Sequence, residues 1–362
     1  MSGKKGWLGL LAFIPVVALL TGINYYEDPA NIFHDSNKEM AEELLNGNAV
    51  YFGSGNGDER KVKQYLIEGM PKHVECITVG PCLSMGLNTE DVGTEDYYNL
   101  SVSGLNYTDC MAEFAMLELN DIEYDRVILC VDSYFFDETF AQGSRNQDFI
   151  PYAEYMIKWL DGEDPEPPHE SVLTRYKTYF EQAFSLTYFQ ASLNLIKKNR
   201  SLLLPSKRWG IMSDETADYA HYENDASYVY ALEYRLNTTD NVVAEALGYD
   251  IETEFAHNKH LTDHYKEQFR TLIQYLDDKG VEIEFFYCPI CPTLWDRRAE
   301  HPGEYFLLEE IEAFSHEVAE EYDIKETGSF DPYKIGITDD DFWDARHLKQ
   351  SSIDEKFDFK KR

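Results

Sequence analysis

The chain has 362 residues, enough for one large or two modest domains with a real core. Its formal charge of −35 at pH 7, from 67 acidic and 32 basic residues, excludes nucleic acid as a partner, because phosphate binding needs clustered Lys and Arg. An apolar share of 43% and an aromatic share of 14% exclude a disordered acidic chain.

Residues 7–23, WLGLLAFIPVVALLTGI, carry no charge and follow Lys4 and Lys5. At 1.5 Å per residue the run spans roughly 25 Å, the lower limit for a hydrocarbon core. The two lysines favour an N-terminus inside the cell. Residues 1–24 therefore read as a membrane anchor or signal segment. Retention is the expectation, since no small-x-small cleavage site stands near Ala18 to Gly22. The corresponding protein is single-pass in the cell membrane with an extracytoplasmic C-terminal domain, or secreted if the segment is cleaved.

Residues 36–46 and 58–70 have helical patterns. The connector between them, Gly53-Ser54-Gly55-Asn56-Gly57, lacks the Lys-Ser/Thr of a phosphate loop and reads as a turn. Strands are predicted at 74–79, 96–102 and 126–131, with a helix between whose Cys110, Phe114 and Leu117 recur at helical spacing. Residues 25–137 thus form the first part of an α/β domain. Over 138–258 the alternation stops. A Pro- and acid-rich turn at 161–170, an aromatic helical run at 174–199 and a polar stretch predict a mainly helical insertion. Residues 259–362 resume the alternation, with a helix carrying Tyr265, Phe269, Leu272 and Leu276, a strand at 281–287, and a helix carrying Leu307, Ile311, Phe314, Val318 and Tyr322. The predicted fold is α/β, a three-layer flavodoxin-like parallel sheet with helices on both faces. The insertion lies over the strand ends where such sheets bind ligands.

Three segments at predicted strand exits can carry chemistry: Gly80-Pro81-Cys82-Leu83-Ser84, Ser103-Gly104 and Asp344-Ala345-Arg346-His347. A thiol or hydroxyl at a strand-to-helix turn gains from the free N–H groups of the helix start. An acid three residues before a histidine holds the imidazole in the tautomer of a general base. The main-chain N–H groups of Cys82 and Gly104 can together receive an oxyanion.

These segments resemble the SGNH or GDSL hydrolase superfamily, whose blocks are Gly-Asp-Ser-Leu-Ser, a glycine, and Asp-x-x-His. With Asp28-Pro29 and Phe33 after the apolar run, the chain is similar to bacterial envelope members that move or remove acyl groups on surface polymers. The resemblance implies an acyl hydrolase or O-acyltransferase acting on an acylated polysaccharide or another ester, without a cofactor or metal. Cys82 is then the nucleophile, His347 the base and Asp344 its orienter, with Cys82, Gly104 and Ser133 around the oxyanion. Two positions depart from the pattern. Cys82 stands where the family has serine, a change that retains nucleophilic chemistry. Val131-Asp132-Ser133-Tyr134 replaces Gly-x-Asn-Asp, a lost oxyanion donor of about 2.7 to 4 kcal/mol that Ser133 or the insertion must replace. Ser84 is a lesser candidate nucleophile. The alternative is a catalytically degenerate protein of this fold that binds glycan or scaffolds an envelope-biosynthesis complex.

The remaining motifs have plainer readings. His257, His260 and His264 with Asp263 lack a metalloprotease glutamate and read as a solvated helix start. Asp339-Asp340-Asp341 lacks calcium-loop spacing and reads as an acidic turn. Tyr176, Tyr179, Phe180, Phe184, Tyr188 and Phe189 have the spacing of a packing face. Cys288-Pro-Ile-Cys291 reads as incidental thiols or a local disulfide, since a thioredoxin-like setting is missing.

Overall fold

The computed structural model describes residues 3–52, 58–136, 147–169, 172–199, 209–251, 260–300 and 307–360. The Gly53 to Gly57 connector and His257 lie outside the described residues.

Strand β1 (Val50–Phe52) precedes the main sheet, which begins with β2 (His73–Val79), β3 (Tyr97–Asn99) and β4 (Glu123–Cys130). Three short strands follow in the inserted stretch, β5 (Trp209–Ile211), β6 (His221–Tyr222) and β7 (Tyr228–Val229); β8 (Glu282–Tyr287) and β9 (Lys325–Gly328) complete the set. The main sheet has five strands in the order β3-β2-β4-β8-β9, every pair parallel. Helices flank it, so the protein is an α/β fold. Val74, Cys76, Ile77 and Val79 of β2, the last five residues of β4 and the last five of β8 are almost all fully buried. Burial on successive residues arises where both sheet faces are covered, and the two charged residues among them, Arg126 and Glu284, pair with each other at 2.6 Å. The chain winds outward in both directions from β2 and β4, so a crevice opens beyond their carboxyl ends, the usual ligand position in doubly wound sheets.

Between strands, sequence and structure agree within a few residues. The helix predicted through Cys110, Phe114 and Leu117 is Tyr107–Leu119, capped by Asn106, and those predicted later are Asp263–Asp278 and Leu307–Tyr322. The edge strand β9, Lys-Glu-Thr-Gly, has no apolar run and was not predicted. The inserted stretch is less purely helical than expected, because β5, β6 and β7 join β1 in a four-stranded antiparallel sheet ordered β5-β1-β6-β7. The aromatic run divides into helices Val172–Ala183 and Leu186–Asn199. Tyr188 is buried, but Tyr176, Phe180 and Phe184 are exposed, so only part of that face packs.

The expected membrane anchor is corrected. Among the described residues no helix is long and apolar enough to cross a membrane. The apolar run belongs to a helix, Gly3–Glu27, with Pro15 in its interior. Its last turns are held by protein: Asn24 and Glu27 are buried, and Asn24 Nδ2 donates to the carbonyls of Gln182, Ala183 and Ser185 at 3.0–3.1 Å. The single-pass topology and the cell-membrane location fall with it. A seventeen-residue apolar run is marginal in length for a hydrocarbon core.

Candidate active site

The β2 exit turns sharply at Gly80. A Cβ there would stand 2.4 Å from Cys130 Cβ and 2.4 Å from Ser84 Oγ, so only glycine lets the turn lie against β4. Beyond it, a single 3₁₀ turn, Cys82–Ser84, replaces the expected helix. A turn this short carries little macrodipole, so the half-buried Cys82 thiol must take its electrostatic partner from elsewhere. Ser84 is fully buried and its hydroxyl is spent on Pro81 O at 3.0 Å and Ser101 Oγ at 2.9 Å.

That partner is His347. The loop carrying it is closed at its base by a bridge between Phe342 and Leu348, with Trp343 N donating to His347 O at 2.8 Å. Inside the loop, Asp344 Oδ1 accepts the N–H groups of Arg346 and His347, both at 2.7 Å, and Oδ2 pairs with His347 Nδ1 at 2.8 Å. The imidazole is therefore anchored through Nδ1, while Nε2 is buried without a hydrogen-bond partner among the described residues. Burial disfavours the imidazolium, but the charge of Cys82 and the Asp344 carboxylate, which accepts from Nδ1, outweigh it and raise the pKa of His347 to about 10. Burial likewise works against the Asp344 carboxylate, yet His347, Tyr234 and main-chain N–H groups hold its pKa well below the usual range. Cys82, His347 and Asp344 thus form one interacting group, though 262 positions separate Cys82 from Asp344.

Gly104 lies in the turn after β3 with φ of +60°, and its N–H, like that of Cys82, has no acceptor among the described residues. The turn is held from below by Glu59, which accepts Ser103 N at 2.8 Å and Ser103 Oγ at 3.0 Å, and by Arg60, which donates to Ser103 O at 3.2 Å. Ser133 is buried and its hydroxyl donates to Asp132 Oδ1 at 3.3 Å. Asp132 is itself buried against Arg346 at 3.3 Å. The position of the expected asparagine is therefore held by Ser133, whose hydroxyl is engaged by the neighbouring carboxylate of that ion pair.

Two residues escaped the sequence reading. Tyr234 donates to Asp344 Oδ2 and stands 3.3 Å from His347 Nδ1. Tyr230 stacks on Tyr234 at 4.8 Å and lies 5.5 Å from the imidazole. Both come from the inserted stretch, where Tyr228, Tyr230 and Tyr234 follow no helical or strand period that marks them out. A cavity of about 720 Å³, lined among others by Gly86, Tyr228, Tyr230, Arg235, Trp343 and Leu348, lies beside the loop that carries Asp344 and His347, although none of the three residues is itself in its lining. A cavity of equal volume lined by Trp159, Arg270 and Tyr275 has no residue of that loop in its wall.

The other candidates are occupied structurally. His260 Nδ1 pairs with Glu310 at 2.6 Å, and among the described residues no three ligands converge as a metal would need. Asp339 accepts Thr293 N and Oγ1 and Cys291 Sγ, and Asp341 accepts Thr338 N and Ser352 Oγ, so the acidic turn braces the loop before His347. All six cysteines are free. Burial pushes Cys76 and Cys291 up to about 12 and Cys288 further, which keeps these three as thiols. No family model and no curated protein sequence matches the chain.

Proposed function

We propose that the protein is an SGNH-like acyl hydrolase or O-acyltransferase that acts on an acylated polysaccharide through Cys82, His347 and Asp344. The observation that carries this reading is the imidazole: fixed at Nδ1 by Asp344, unbonded at Nε2, and charge-coupled to Cys82. In the cycle His347 takes the Cys82 proton, and Sγ attacks the ester carbonyl. The N–H groups of Cys82 and Gly104 receive the oxyanion. The C–O bond then breaks, and His347 returns the proton to the leaving alcohol. His347, neutral again, then serves as base for water or an acceptor hydroxyl, which takes the acyl group and restores the thiol. The cavity supports a neutral glycan, because Tyr228, Tyr230 and Trp343 offer ring faces and Glu90, Glu223 and Asp225 outnumber the single Arg235.

The test is hydrolysis of p-nitrophenyl acetate and of an acetylated neutral glycan. Cys82→Ala abolishes turnover and His347→Ala lowers kcat at least about 100-fold; wild-type rates in both variants would falsify the assignment. Ser133, at the asparagine position, has its hydroxyl engaged by Asp132, which favours a second reading, a catalytically silent glycan-binding protein. Iodoacetate separates the two, since a catalytic Cys82 is carboxymethylated at pH 7 much faster than the five buried thiols.

A further inference from the structure

We infer that Tyr234 is a positioning residue for the Asp344–His347 pair, supplied from outside the main sheet; this rests on the acyl-transfer reading above. A carboxylate offers about four acceptor sites. Asp344 fills them with two main-chain N–H groups on Oδ1 and with the imidazole and the Tyr234 phenol on Oδ2. With all four in place the carboxylate cannot rotate without breaking a bond, and the imidazole plane is fixed with it. Without the phenol, Oδ2 is left with a single donor.

The phenol is itself held. Its ring stacks on Tyr230 at an interplanar angle of 19°, and the short helix that carries it, Leu232–Arg235, starts from a main-chain bond between Leu232 N and Asp218 O at 2.9 Å. Just beyond, Asn237 Nδ2 donates to Trp343 O at 2.8 Å, and Thr239 Oγ1 donates to Asp340. Three side chains within six positions thus fasten this segment to the loop that carries the catalytic pair. Tyr234 touches the orienting acid, so it acts through Asp344.

The test compares Tyr234→Phe, Asp344→Asn and the double variant in the full chain, with melting temperature as a check on folding. Carboxymethylation of Cys82 by iodoacetate at pH 7 is the first readout and needs no turnover. The second is kcat and KM on p-nitrophenyl acetate. Tyr234→Phe slows carboxymethylation and lowers kcat about tenfold, with KM changed less than about twofold. In the Asp344→Asn background the same substitution changes either rate less than about twofold, because no carboxylate remains to be held. An equal loss in both backgrounds would show that the phenol acts by packing and would overturn the proposal, as would an undiminished rate in Tyr234→Phe. A wild-type protein that is rapidly carboxymethylated but cleaves no ester defeats the acyl-transfer reading alone, because the first readout still tests Tyr234.

Discussion

Single atoms decide the shape of the nucleophile's turn. Cys130 Cβ and Ser84 Oγ, each 2.4 Å from where a Gly80 side chain would begin, belong to buried residues, so neither has solvent to move into. Gly80→Ala must displace the turn or β4. Overpacking of this kind costs about 1–3 kcal/mol. Urea denaturation should show that loss, and Cys82 carboxymethylation should slow with it; unchanged stability would mean the turn yields freely. At the same scale, Cys82 stands without a long helix behind it. Its electrostatic partner is the imidazole, an interaction that a three-residue turn cannot supply.

At the scale of elements, the site depends on caps and turns at strand ends. The helix Tyr107–Leu119 begins three residues after Gly104, and its start is fixed by a capping box in which Asn106 Oδ1 accepts Asp109 N at 3.0 Å and Asp109 Oδ2 accepts Asn106 N at 3.3 Å. Asp109 also pairs with Arg60 at 2.6 Å, which links the cap to the clamp on Ser103. Removing such a cap costs about 1 kcal/mol. Asn106→Ala should therefore lower stability by that amount in urea and also reduce kcat, because the Gly104 turn loses its anchor. Loss of stability with full kcat would separate the cap from the oxyanion turn. The capping residues were readable from sequence, since Asn followed three positions later by an acid is a recognised helix start. The clamp by Glu59 and Arg60 was not, because it joins a helix before β2 to a turn after β3 and has no local pattern.

Across the whole molecule, the catalytic pair couples function to stability through pH. The pKa of His347 is raised in the folded chain from 6.5 to about 10, so its contribution is complete below pH 6.5 and is lost as pH rises through about 10. Asp344 is shifted down from 3.8, so its contribution is present above that value and is lost as pH falls. The pair therefore stabilises most between about pH 4 and 6.5. Thermal melts of His347→Gln against wild type should show the largest deficit at pH 5–6 and convergence above pH 10. A deficit independent of pH would assign the loss to packing. The net charge of −35 belongs to this scale as well, since carboxylates predominate around the cavity and disfavour an anionic polymer there.

Local patterning was sufficient for the alternation of strands and helices, the Asp344-x-x-His347 turn and the glycine before Cys82, because each depends on residues a few positions apart. Strand order, the meeting of Cys82 with His347, the placing of Tyr230 and Tyr234 over them and the pairing of Asp132 with Arg346 join residues far apart in sequence, such as Tyr230 and His347 at 5.5 Å or Asp132 and Arg346 at 3.3 Å, where no periodicity signals them. The N-terminal apolar run marks the boundary between the two. Its hydrophobicity is a property of the sequence, but what covers it is decided by the folded chain, which encloses Asn24 and Glu27 just beyond the run and leaves Phe13, Ile14, Val16 and Leu19 within it exposed.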